Sequence, residues 1–215
     1  MAVRPPRIEP HTPADHEAGD AADLIADAEI EGASFHGIDL TDRALMGLSL
    51  ADCELRGATL DGADLTSARI ADSLFTHLQV PRLSLPRSFL RNLRLDNSRI
   101  GAFDLFDARI RTMVVTGCKL ELVNLRGADV RDVVFRDCTI GELDLGEATV
   151  TRMAFDGTSV GAIDTHRAHL SDFDLRGARV GGLRHLDGLR GAVIDDSQLI
   201  EFAGTFAAHI GVRVE

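Results

Sequence analysis

An all-β, four-sided solenoid is the fold this sequence predicts, and three observations carry the prediction. From Ile30 to Val180 every fifth residue is aliphatic or Phe, with Thr165 the single exception. A period of five fits neither an α-helix at 3.6 nor a flat strand at 2. A short strand and a corner in every five residues satisfies it. Second, residues twenty apart are alike in kind: Leu45, Leu65, Leu85, Leu105, Leu125 and Leu145 form one column, and Ala108, Ala128, Ala148 and Ala168 another. Third, the position two before each central residue alternates large and small, as in Leu83, Ser88, Leu93, Ser98, Phe103 and Ala108. Strand alternation makes that a second inward position. One coil is therefore twenty residues with four sides and four corners. Gly101, Gly141, Gly161 and Gly181 recur at one corner, where a positive φ is expected.

The elements follow in order. Residues 1–20 carry Pro5, Pro6, Pro10 and Pro13 among scattered acids with no periodicity, and read as a disordered acidic leader. Residues 21–194 form the solenoid, of about eight coils and roughly 38 Å at the inter-strand spacing. Ala21 to Glu29 enters the first coil and covers its open end, which would otherwise present unpaired strand edges. Pro81 and Pro86 follow central residues, at corners where a missing N–H costs little. Arg43 at an inward position and Thr165 and His185 in the central column depart from the pattern. Residues 195–215 change period: Leu199, Phe202, Ala203, Phe206 and Ile210 recur at three or four, Asp195 or Asp196 can N-cap, and Gly211 can end the helix. A short extended tail, Val212 to Val214, follows. The helix has two readings, a plug for the last coil and a dimer contact through Leu199, Phe202, Phe206 and Ile210, and the two can coexist.

The net charge of −11 is unevenly spread. Residues 1–42 hold ten acids against two Arg, residues 43–100 six against eight, and residues 101–215 eighteen against thirteen Lys or Arg. The coil body is thus near balance. No apolar run reaches the ~18 residues of a membrane span, and the first twenty residues show no apolar signal region. A cytoplasmic protein with no membrane or nucleic-acid partner is expected. Cys53, Cys118 and Cys138 all take inward positions. Cys118 and Cys138 stack one coil apart, close enough for a disulfide in principle, although reduced buried thiols suit a cytoplasmic chain better.

Ala63-Asp64-Leu65, Ala128-Asp129-Val130, Ala68-Arg69-Ile70 and Ala108-Arg109-Ile110, with Arg126-Gly127 or Arg176-Gly177 before some units, resemble the Ala-(Asp/Asn)-Leu-x-x unit of the pentapeptide-repeat family. The resemblance covers about three quarters of the chain. It implies a right-handed quadrilateral β-helix. Some members of that family inhibit DNA gyrase, and are thought to do so as acidic, rod-shaped dimers that stand in for duplex DNA. It thus implies gyrase as a partner and a homodimer through the C-terminal end.

Catalytic chemistry finds little support. There is no nucleophile elbow, phosphate-binding Gly loop or zinc-ribbon spacing, and no enzyme or cofactor is expected. Asp164, His166 and His169 fall on an outward side, a corner and the next side, so they diverge where a metal needs converging ligands. Two outward stripes remain. Asp64, Asp104, Asp144 and Asp164 read either as a solvated, hydrogen-bonding repeat position or as an acidic ladder imitating DNA phosphates. Leu74, Val114 and Val134, with Ala154 beside them, read either as ordinary β-formers or as an apolar partner surface.

Overall fold

The structure, a computed structural model, describes residues 3–9 and 15–213. Its strands pair in parallel at a constant offset of one coil, as where Ile110 lies between Leu90 and Val130. The backbone ladder is what turns a five-residue period into a rod. Two sheets result. In the larger, strands such as Phe89–Asp96, Arg109–Thr116, Asp129–Arg136 and Thr149–Asp156 each bend once and supply two adjacent sides of the coil. The smaller stacks Gln79–Ser84, Arg99–Asp104, Lys119–Asn124, Thr139–Asp144 and Ser159–Asp164. Pro81 sits in the edge strand of this sheet, where it removes no ladder bond. The solenoid makes about nine turns, one more than expected. Glu17–Ala18 joins at the start and Ala192–Val193 at the end.

The corner glycines correct the sequence reading. Gly101, Gly141, Gly161 and Gly181 do not have positive φ. They are needed because the chain passes close over the coil below: a Cβ on Gly181 would stand 2.7 Å from the Gly161 carbonyl oxygen. Left-handed residues sit instead two places after the central residue at the other three corners. One such column runs Asp52, Asp72, Asn92, Thr112, Asp132, Arg152 and Asp172, all at φ between 51° and 68°. Asp and Asn tolerate this region best among residues with a side chain. A second column runs Asn97, Gly117, Asp137 and Gly157. There the Asx oxygen fills the space of the missing Cβ above it, at 2.8 Å for Asn97 under Gly117 and 2.6 Å for Asp137 under Gly157.

The interior is one continuous column of Leu, Ile, Val and Phe, with Phe135 and Phe155 stacked at 5.5 Å. Small polar residues enter it throughout, not only near the C-terminal end. Ser73, Ser98 and Thr158 each close a corner amide that the ladder misses, while Ser88 and Thr165 donate to carbonyls. The Leu78 N–H donates to Ser98 Oγ at 3.0 Å, and the Cys138 N–H to Thr158 Oγ1 at 3.2 Å. Ser98 Oγ in turn donates to the Asp96 carbonyl at 2.8 Å. Cys53, Cys118 and Cys138 are free and buried. The adjacent Cys138 thiol and burial together push the Cys118 thiol upward, which keeps it protonated and inert.

Both ends are closed. At the start Leu24 is buried and its carbonyl accepts Arg43 Nη2 at 2.9 Å, so the inward arginine reaches out to cap the first coil. At the other end the helix Asp196–His209 begins on a capping box between Asp195 and Gln198. Gln198 Nε2 donates to the carbonyls of Leu175 and Ala178 at 2.7 and 2.9 Å, and Phe202 is buried beside them. His185 is not inward but exposed at φ 56°, and the buried Thr165 hydroxyl donates to the carbonyls of Arg184 and His185. Val214 of the expected tail lies outside the described residues.

Two substitutions separate packing from corner satisfaction. Leu125→Ala is expected to destabilise by about 2–5 kcal/mol, because a stacked column collapses poorly around a cavity. Ser98→Ala removes one oxygen yet is expected to cost about 1–3 kcal/mol, because it strands the buried Leu78 N–H. Urea unfolding of both variants checks this; a Ser98→Ala protein as stable as the parent would contradict the corner account.

Candidate functional site

Outward-facing valines on a solenoid side are ordinarily wet. Here Val114 is 1% exposed and Val134 6%, while Leu74 and Ala154 on the same side are half-buried. These residues are in register along one strip: Leu74, Arg94, Val114, Val134, Ala154. No other coil passes outside them, so their cover comes from elsewhere in the chain.

The cover is the leader. The Arg4 N–H donates to Asp172 Oδ1 at 3.0 Å, and its guanidinium closes on the same carboxylate at 2.6 Å. The Arg7 N–H donates to Asp132 Oδ1 at 2.7 Å, and Arg94 Nη2 donates to the Glu9 carbonyl at 3.3 Å. Further down, His16 Nε2 lies 3.2 Å from Asp52 Oδ1. Residues 3–9 therefore descend the solenoid along the left-handed corner column, with Val3, Pro6 and Ile8 half-buried. The sequence reading expects residues 1–20 to be disordered; over residues 3–9 one ion pair and two carboxylate-bound amides hold the chain against the solenoid. Pro10 and Pro13 lie outside the described residues.

The acids of this groove escape the sequence reading. Asp52, Asp72, Asp132 and Asp172, with Asn92 in the same column, are not singled out there, although their spacing in multiples of twenty after Leu50, Ile70, Leu90, Val130 and Leu170 is available as a signal. Arg152 sits between two of them, with Nε 2.6 Å from Asp132 Oδ1. Burial raises the Asp132 carboxyl, but the hydrogen bonds from Arg152 and the Arg7 amide outweigh this and hold it below the ordinary range. The Arg4 guanidinium and amide hold Asp172 below it as well.

The predicted acidic stripe is assembled in one line: Ser84, Asp104, Asn124, Asp144, Asp164 and Arg184 are successive register partners. Much of its capacity is spent on the fold. Asp64 Oδ1 accepts the Thr66 N–H at 2.9 Å, Asp144 Oδ1 the Gly146 N–H at 2.8 Å, and Asp164 Oδ1 the His166 N–H at 2.9 Å. Arginines neutralise two of the four, Arg82 at Asp104 and Arg126 at Asp144, and His185 Nδ1 lies 2.8 Å from Asp164 Oδ1. The Thr66 hydroxyl and amide hold the Asp64 carboxyl low.

The C-terminal helix divides its apolar residues. Phe202 is spent on the last coil and Phe206 packs partly against it, so Phe202 is not available to a second copy. Leu199, Ile200, Ile210 and Val212 are exposed. Beside this helix, His166, His169, His185 and His209 line one open hollow of about 1440 Å³. His166 and His185 meet edge to face at 4.9 Å. Among the described residues no group of three or more His, Cys, Asp or Glu converges well enough to hold a metal, and no helix is long and apolar enough to cross a membrane.

Register, corner chemistry and coil length together define a parallel β-solenoid built on a five-residue repeat and closed by one C-terminal helix. A family model described as pentapeptide repeats (8 copies) matches residues 45–77. Among solved structures, a trypsin-treated variant of QnrB1, a plasmid-mediated fluoroquinolone resistance protein, is similar at 15% identity and a TM-score of 0.38, covering 85% of this chain and 98% of that one. A second trypsin-treated QnrB1 variant is similar at 18% identity and a TM-score of 0.36, covering 89% and 91%. HetL of the cyanobacterium Nostoc, involved in heterocyst differentiation regulation, is similar at 14% identity and a TM-score of 0.22, covering 80% and 90%. No curated protein sequence matches the chain.

The leader contacts carry a pH signature. Asp132 and Asp172 both have carboxyls depressed in the docked state. Docking is therefore complete above the ordinary carboxylate value of about 3.9 and is lost as pH falls through the lower docked values. The amide resonances of Arg4 and Arg7 should hold their positions from pH 7 down to about 4 and move below it. Movement centred near neutrality would contradict the assignment.

Proposed function

We propose that this chain is a non-enzymatic, protein-binding rod whose working parts are surface shape and charge. The observation that supports this reading is the strip of outward valines: a solenoid side that already holds a polypeptide segment is suited to binding polypeptide. Affinity capture with the full chain, compared with a full chain carrying Val114→Asp and Val134→Asp, tests it. Partners retained by the first and lost by the second are expected. An identical set from both would remove the strip from the account.

A finer reading, modulation of DNA gyrase as a DNA mimic, is favoured by the single line of Asp104, Asp144 and Asp164 on an acidic rod of net charge −11. Since Arg82 and Arg126 offset two of those carboxylates, the effect should be weak and steeply salt-dependent. Supercoiling by purified gyrase with increasing amounts of this protein, with and without a quinolone, is the assay. No inhibition or protection at tens of micromolar, about −6 kcal/mol of binding free energy, leaves the general protein-binding reading alone. A homodimer through Leu199, Ile210 and the adjoining Ile200 belongs with this reading. Leu199→Asp with Ile210→Asp is expected to halve the solution mass; a parent chain that is monomeric at micromolar concentration ends it.

A further inference from the structure

The leader meets the solenoid with a regularity that defines a ligand. Arg4 and Arg7 are three residues apart, and the carboxylates that receive their amides, Asp172 and Asp132, are two coils apart. Two coils span about 9.6 Å at the inter-strand spacing. A polyproline II chain rises about 3.1 Å per residue with three residues per turn. Residues i and i+3 of such a chain therefore face the same side, about 9.3 Å apart. The two residues between Arg4 and Arg7 are Pro5 and Pro6, which lack the N–H that would otherwise go unpaired and hold φ near that helix. Asp172 takes the guanidinium as well as the amide of Arg4, so the upper rung selects charge. The lower rung selects an N–H, and Val134 lies two residues beyond it on the apolar strip.

From this we infer that the corner groove between Asp132 and Asp172 is a binding site for a proline-rich segment of a partner protein, with an arginine at the upper rung and, three residues on, a residue that donates its N–H and adds favourable charge, an Arg-Pro-Pro-Arg chemistry, and that residues 3–9 are its built-in competitor. The inference rests on the protein-binding reading and names the partner's recognition chemistry. A partner segment must displace the leader, so binding is gated by whatever loosens Arg4 from Asp172. The alternating rungs explain the spacing of the site. Arg152 occupies the corner between Asp132 and Asp172 and its guanidinium is held by Asp132, so a carboxylate meets an extended chain only at every second coil, and Asp132 Oδ1 accepts the leader amide beside Arg152.

The test uses the full chain with Arg4→Glu and Arg7→Pro, which removes the charge at one rung and the donor at the other. The probe is a fluorescent peptide of the sequence of residues 3–9, followed by anisotropy, with circular dichroism reporting the fold. The released chain is expected to bind the peptide at least tenfold more tightly than the parent chain. Adding Asp132→Asn and Asp172→Asn, changes that keep a residue tolerant of positive φ, should lower that binding at least tenfold. Changes on the peptide leave the protein untouched: alanine for both arginines, or glycine for both prolines, should each weaken binding. No binding by a folded released chain overturns the inference. So does binding indifferent to the aspartates or to the peptide's arginines and prolines, and so does a doubling of solution mass on release, which would make a second copy the occupant. If affinity capture still retains partners through Val114 and Val134 while the peptide does not bind, the recognition chemistry fails and the general protein-binding reading stands.

Discussion

The parallel backbone ladder at one-coil offset is the constraint on which everything else depends. Once Leu90, Ile110 and Val130 are stacked, every other position in the coil is stacked too, and any property repeated at twenty residues becomes a line on the surface. A column of Leu becomes a core, a column of small polar residues becomes a set of corner clamps, and a column of Asp becomes a ladder. Selection on one residue type is thereby converted into a one-dimensional surface feature. The cost falls at the corners, where the chain turns through left-handed φ and leaves amides without ladder partners. Asx, Gly, Ser, Thr and Cys at those places each answer one of these two demands.

The same geometry accounts for the two acidic lines and for their difference. Asp104, Asp144 and Asp164 stand at a corner where the carboxylate bonds to the amide two residues on, and where arginine or histidine from a neighbouring coil can reach it. Their charge is drawn inward. Asp132 and Asp172 stand at the bend in the middle of a long strand or close to it, where the local amides are already in the ladder, so their oxygens accept from another segment, although Asp132 also holds Arg152. Position within the coil, more than the count of carboxylates, decides which line can meet a partner.

Most of the fold was legible in the sequence because the period of five is incompatible with any other regular structure. The helix from Asp196 with its cap at Asp195 was legible for the same reason, a change of period beside a capping residue. The corner glycines were misassigned because a close backbone approach and a positive φ leave the same mark, a glycine at fixed spacing. The covered strip was half legible: Val114 and Val134 could be placed on an outer side, but what lay over them could not be read. Residues 3–9 have no periodicity of their own. Their order comes from contacts with residues 85 to 168 positions away, which no local pattern records. Phe202 was placed at an interface because a helical stripe does not say which of its residues face the last coil.

A solenoid is expected to unravel from its ends, since each turn leans only on its neighbours. The leader alters that mechanics. It is covalently continuous with the first coil, touches Asp52 near the bottom, and is tied to Asp172 near the top. Asp52 and Asp172, near the two ends of the rod, are thus both held by residues from before the first coil. A structure whose cooperativity would otherwise fade with distance is thereby given a long-range linkage, made at Asp172, Asp132 and Arg94, and undoing all three contacts returns it to the behaviour of a simple stack.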